Sequence, residues 1–134
     1  RLKSVLTSFL FSDVSNKQVN FFTLNQWFDK TLFNETASQN LHFPGINFKN
    51  LKKFEEKYFK AFDTKPHEVA ILAYDALGLL YYCWINNNAQ FKIEQLFSKN
   101  GFKGLHSEFI IKNNISLQKL KIYKISDKKF LEVF

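Results

Sequence analysis

Methionine is missing from the chain altogether, arginine and cysteine each occur once, proline twice and glycine four times. Each scarcity excludes something. With no initiator methionine, position 1 is not expected to be where translation starts, so the chain reads as a processed product or a fragment of a longer precursor. The opening RLKSVLTSFLF repeats its apolar residues at helical spacing and lacks the small-residue cleavage site of a secretory signal. Cys83 has no partner for an intrachain disulfide, and inside an apolar run it reads as a small buried hydrophobe rather than a reactive thiol. Glycines at positions 45, 78, 101 and 104 cannot spell a phosphate-cradling loop.

Catalytic patterns are equally sparse. His42, His67 and His106 lie far apart with no metal-ligand spacing, and His67-Glu68 has no second histidine one helical turn on. No serine sits in a nucleophile elbow, and no Cys-His arrangement can be argued. Glu55 and Glu56 are adjacent on a helix and point apart. No catalytic residue, metal or cofactor is therefore expected, and the chain reads as a non-enzyme.

The charge is one-sided: 19 basic residues against 12 acidic ones give +7. All the basic residues except Arg1 are lysines. Arginine is the better bidentate partner for phosphate and guanine, so its scarcity weakens a nucleic-acid reading. Lys, Asn, Ile and Phe also share A/T-rich codons, and genome bias produces the same balance. A basic nucleic-acid-binding module stays the weaker alternative, and no nucleic-acid partner is expected.

What the chain does have is apolar mass. Apolar residues make up 46% and aromatics 18%, with seventeen phenylalanines in 134 residues. That is a globular composition, sized for one domain over residues 1–134. Leu2, Val5, Leu6, Phe9 and Leu10 predict a first helix. Residues 19–25, VNFFTLN, predict a short strand, and a second helix is expected from about Asn25 through Trp27, Leu32 and Phe33. Residues 41–46, LHFPGI, form an extended piece. Asn47 is a good N-cap for a helix with Phe48, Leu51, Phe54, Tyr58 and Phe62 on one stripe and lysines opposite. Asp63 or Thr64 as cap and Pro66 in the first turn open the next helix. A short helix over Phe91, Ile93, Leu96 and Phe97 ends at Gly101. The period then falls to two, and SEFIIK, LQKLKIYKI and KFLEVF predict three strands with turns at Asn113-Asn114 and residues 126–128.

The stretch VAILAYDALGLLYYCWI, residues 69–85, is the longest apolar run. A membrane-spanning helix needs about 20 apolar residues, and Asp75 at the centre of this one would add about 3 kcal/mol on insertion scales. The run therefore predicts a core helix, apolar on nearly every side and packed between a sheet and other helices. A buried carboxylate needs partners, so Asp75 is expected to cap or bridge the backbone of an adjacent segment.

The order of these pieces resembles the C-terminal part of type I periplasmic binding proteins, the family of the leucine/isoleucine/valine-binding proteins. The resemblance is carried by FKNLKKFEEKYFKAFDTKPHEVAILAYDALGLL, then IEQLFSKN, then GFKGLHSEFIIKNNISLQKLKIYKISDKKFLEV. The family has a helix ending at "F…P", an "A…AYDA" helix and a closing meander that starts "GF.G". Tyr74, Asp75, Gly101 and Gly104 are the motif positions. The opening, with VNFFTLN and Trp27, looks like the branch of penicillin-binding-protein activators. Ser107 replaces a usual glycine, Asn113-Asn114 a usual Asp-Gly-like turn, and Gln118-Lys119 a frequent polar-Arg pair. The resemblance implies an α/β fold: part of a bilobed protein, with helices on a small mixed sheet and a C-terminal β-meander. It implies a non-catalytic, periplasmic receptor for an amino acid or similar small polar solute in ABC uptake. An envelope regulator contacting a peptidoglycan synthase is the alternative, and a membrane permease would be the other class of partner. Ligand contacts are expected near strand ends facing the cleft, at Asn25, Gln26, Trp27 and Phe43. A chain holding part of such a fold is expected to dimerise or swap to cover exposed edges.

Overall fold

The computed structural model describes residues 2–14, 17–24 and 28–134. Backbone contacts divide the chain into two compact units, Arg1–Gly45 with Lys121–Phe134, and Ile46–Leu120. Each has one three-stranded antiparallel sheet, in a mixed α/β arrangement.

In the first unit, helix α1 (Leu2–Phe11) is followed by 3-10 turns at Lys30–Asn34 and Thr36–Ser38, then by strand β1 (His42–Gly45). The side chain of Asp29 caps the first of these turns by accepting from Thr31 N at 2.9 Å. The residues expected to open a helix there, Asn25 to Trp27, lie outside the described residues. Strand β5 (Lys121–Ser126) is central, pairing with β1 on one side and β6 (Lys129–Glu132) on the other. Its alternation follows the pleat: Tyr123 and Ile125 are buried, while the intervening Lys124 is not. Phe28, Phe43 and Phe130 close around Tyr123, with ring centroids 4.8 to 6.0 Å apart and mostly edge-to-face.

Among the described residues, the strand expected over residues 19–25 is reduced to one parallel bridge, Phe22 with His42. Thr23 N donates to His42 O at 2.9 Å and His42 N to Phe21 O at 2.8 Å. A parallel ladder takes its next donor from that strand two residues on, and Pro44 has no N–H. One proline thus stops the pairing that the composition of VNFFTLN favours.

The second unit is built from α2 (Phe48–Phe62), α3 (Ala70–Ile85), a 3-10 turn at Ile93–Phe97, and strands β2 (Phe102–Lys103), β3 (Glu108–Lys112) and β4 (Ile115–Lys119). Asn47 caps α2, accepting from Lys49 N at 3.1 Å and Asn50 N at 3.2 Å. Asp63 ends α2 rather than opening α3: it takes a left-handed conformation, φ 50°, and its N–H returns to Phe59 O. Helix α3 starts at Ala70, four residues beyond Pro66, and Val69 at its N-cap gives no side-chain bond. Asn113 and Asn114 both hold positive φ, 52° and 60°, as the two-residue β3–β4 turn requires. Asp127 and Lys128 do the same between β5 and β6.

Two further expectations are corrected by the structure. The run LQKLKIYKI is two strands, β4 and β5, which break at Leu120 because their partners lie in different sheets. The core-helix reading of residues 69–85 holds for one side of α3 only. Ile71 and Cys83 are buried, whereas Leu77, Tyr81 and Ile85 are exposed, because among the described residues of the second unit nothing covers that side. No helix of the described residues is long and apolar enough to cross a membrane.

Candidate functional site

The inward stripe of α3 places Asp75 against the tip of the β2–β3 hairpin. The hairpin ladder pairs Phe102 with Phe109 and Lys103 with Glu108, and Gly104 N extends it to Ser107 O at 2.9 Å. That bond folds residues 104–107 into a tight tip whose next two N–H groups point away from the ladder. Both go to one carboxylate: Leu105 N to Asp75 Oδ1 at 2.6 Å and His106 N to Asp75 Oδ2 at 2.7 Å. These are short, charge-assisted bonds to a part-buried acceptor.

The carbonyls of the same tip are held by α2. Asn50 Nδ2 donates to Leu105 O at 3.1 Å, and Asn47 N to His106 O at 3.5 Å. One turn of backbone is therefore clamped through its donors by α3 and through its acceptors by the start of α2. Neither Asn50 nor His106 stands out in the sequence as part of this clamp. Asn50 lies 55 residues from its partner, and only the fold brings the two together.

The glycines are explained by the closeness of this packing. Gly101, at φ 67°, sits in the left-handed region at the start of the hairpin. A methyl at Gly104 would overlap Asp75 Oδ2 and lie 3.0 Å from the Ser107 carbonyl. Tyr74, Asp75, Gly101 and Gly104 come together on one groove of about 450 Å³, which Leu79, Tyr82, Phe102, Lys103 and others also line. The four motif positions are one structural assembly. Both Asp75 oxygens are engaged by backbone, so the groove is mainly aromatic and aliphatic with Lys103 at its wall.

His106 is buried, and its Nδ1 lies 3.2 Å from Ser107 Oγ. Burial lowers its pKa below the usual 6.5, and the charge of Asp75 partly opposes this. The sign is then fixed. An unfolded histidine takes up its proton near pH 6.5, while the folded one resists until lower pH, so protons bind preferentially to the unfolded chain in that window. Stability from neutral His106 is complete above about pH 6.5 and is lost as the pH falls through the folded pKa. Melting curves at pH 7.5, 6.5 and 5.5 should show a falling Tm, and His106→Gln should flatten that trend. An unchanged slope in the variant would rule out His106 as its source.

The expected ligand contacts are distributed differently. Asn25, Gln26 and Trp27 lie outside the described residues. Phe43 is 0% exposed and belongs to the aromatic core of the first unit, with its ring 5.7 Å from Phe28 and 5.8 Å from Phe130.

No protein-family model and no curated protein matches the chain. Solved structures do match it over almost its whole length. A protein assigned to branched-chain amino acid ABC transport in Rhodospirillum rubrum aligns with 99% of this chain and 48% of its own, at 9% identity and TM-score 0.69. An ABC transporter substrate-binding protein of Desulfitobacterium hafniense, solved with leucine, aligns over 97% and 39%, at 15% identity and TM-score 0.61. The leucine-binding protein LivK of Thermotoga maritima aligns over 98% and 41%, at 14% identity and TM-score 0.53. The chain spans about half or less of the length of these structures and shares their fold, that of type I periplasmic binding proteins.

Proposed function

We propose that this chain is part of a non-catalytic solute receptor, the binding component of an ABC uptake system for an amino acid or a similar small polar molecule. The observation that carries the reading is the match of nearly all 134 residues to the fold of amino-acid ABC transporter proteins, one of them solved with leucine. In this reading the polypeptide works in the periplasm, delivers its solute to a membrane permease, and is the C-terminal portion of a bilobed protein. None of the neighbours named above is a regulator of a peptidoglycan synthase, so that alternative gains no support.

Asn25, Gln26 and Trp27 enter the proposal as solute contacts. Phe43 enters it as the core residue that fixes β1 in place. The Asp75 clamp serves the same function indirectly, by holding the β2–β3 hairpin at one position relative to α2 and α3.

The test is a thermal-shift screen of the longest natural polypeptide containing this sequence against the amino acids. A solute at about a hundred times its Kd adds about 2.7 kcal/mol to the folded state, a rise of several degrees in Tm. Leucine, isoleucine and valine should lead the series, and Trp27→Ala should diminish the response. No shift with any amino acid would overturn the transport reading.

A further inference from the structure

Helix α2 presents one row of positive charge. Five of the chain's eighteen lysines, Lys49, Lys52, Lys53, Lys57 and Lys60, fall within its 15 residues. Biased codon usage sets how many lysines a chain has, not where they stand. Helical geometry spreads these five over an arc of about 140° and a length of about 17 Å. All five are exposed, and among the described residues none forms an ion pair. Glu56 lies inside the arc, one turn from both Lys52 and Lys60, yet pairs with neither, so the row keeps a net positive charge.

The other side of the helix is committed to its own unit. Phe54 is buried there, and Asn50 Nδ2 donates to Leu105 O at 3.1 Å, which holds the lysine arc outward. Burying unpaired ammonium groups is strongly unfavourable, so further polypeptide packing on this unit is directed to its apolar faces and away from this one. The partner that suits the row is an anionic one that stays hydrated.

We propose that the lysine face of α2 docks the protein reversibly on an anionic phospholipid surface. Lysine is a compact point charge without the planar fork that grips paired phosphate oxygens or guanine in a fixed geometry. A bilayer presents its phosphates in a fluid array with no register, which point charges on flexible stems can follow. Phe59, beside Lys52 at the border of the arc, is 50% exposed and supplies an apolar side chain at the headgroup boundary, as interfacial helices do. Such docking would hold the polypeptide at the bilayer, where a permease lies, but it needs neither a solute nor a permease.

The experiment is co-sedimentation of the longest natural polypeptide containing this sequence with phosphatidylcholine vesicles, with and without about 30% phosphatidylglycerol. Binding should require the anionic lipid and should fade as salt is raised from about 0.05 to 0.5 M. Each lysine at the headgroups contributes about fivefold to partitioning, so the triple variant Lys53→Gln, Lys57→Gln, Lys60→Gln should bind about a hundredfold more weakly. Lys52 is left in place because its ammonium already sits 5.0 Å from the centroid of the Phe48 ring. The three changed side chains are exposed, so the far-UV circular dichroism spectrum should match the wild type. A control with the same loss of charge elsewhere, Lys99→Gln, Lys112→Gln, Lys129→Gln, should bind within about threefold of wild type, since charges beyond a Debye length of the surface contribute little. No binding to the anionic vesicles at low salt overturns the proposal. An equal loss in both triple variants overturns it too, and assigns the binding to overall charge. Binding of a short DNA duplex through the same three lysines, with none to the vesicles, overturns it in favour of a nucleic acid.

Discussion

Replacing Asp75 by alanine should destabilise the protein by about 3 kcal/mol and lower Tm by about 10 °C. The loss has a definite origin. The N–H groups of Leu105 and His106 both end on the Asp75 carboxylate, and alanine leaves both without a protein acceptor at a part-buried tip. An orphaned donor of this type costs about 1 to 3 kcal/mol, and two are lost together. Asp75→Asn keeps the shape but only one acceptor oxygen, and turns an NH₂ group toward the other donor. It should lie close to alanine rather than to wild type. Differential scanning calorimetry of the three proteins at pH 7.5 would decide the matter. A Tm within about 2 °C of wild type for both variants would show that water replaces the carboxylate at little cost.

The second large effect is expected at Gly104. Its conformation needs no glycine, but its surroundings do. A Cβ would overlap Asp75 Oδ2, stand 2.7 Å from Asp75 Cγ and 3.0 Å from Ser107 O. Either the hairpin tip or the carboxylate must move, and movement by either stretches the two hydrogen bonds that hold them. Gly104→Ala should therefore cost about 2 to 3 kcal/mol, at the upper end of overpacking substitutions. The informative experiment is the double-mutant cycle. Once Asp75 is alanine the overlap with its carboxylate is gone, and Gly104→Ala should cost at least about 1 kcal/mol less than in the wild type. Strict additivity would mean that the strain lies in the backbone and not between these two residues.

Much of this architecture is readable in the residues themselves. Asn47 announces the start of α2 because its side chain can satisfy N–H groups only two and three positions on, a local interaction. Asn113-Asn114 announces a hairpin because both residues tolerate positive φ. The lone aspartate in an apolar helix announces that something must bind it. Local reading fails where one residue vetoes another at a distance. Nothing in VNFFTLN says that its ladder will stop, since the missing donor belongs to Pro44 of the paired segment. Capping failed in the same way near Pro66: Asp63 is a plausible opener for α3, yet it serves as the C-cap of α2.

The sequence by itself determined the helices and turns, the absence of recognisable catalytic patterns, and the need of Asp75 for a partner. These follow from side-chain periodicity, backbone conformational limits and the cost of burying charge, all of which act over a few residues. Only the tertiary structure decided which backbone Asp75 holds. It joined Asn47 and Asn50 to the same four-residue tip, split LQKLKIYKI between two sheets, and left one side of α3 uncovered by the described residues of its own unit. Those outcomes depend on which segments meet across 30 or more residues of chain.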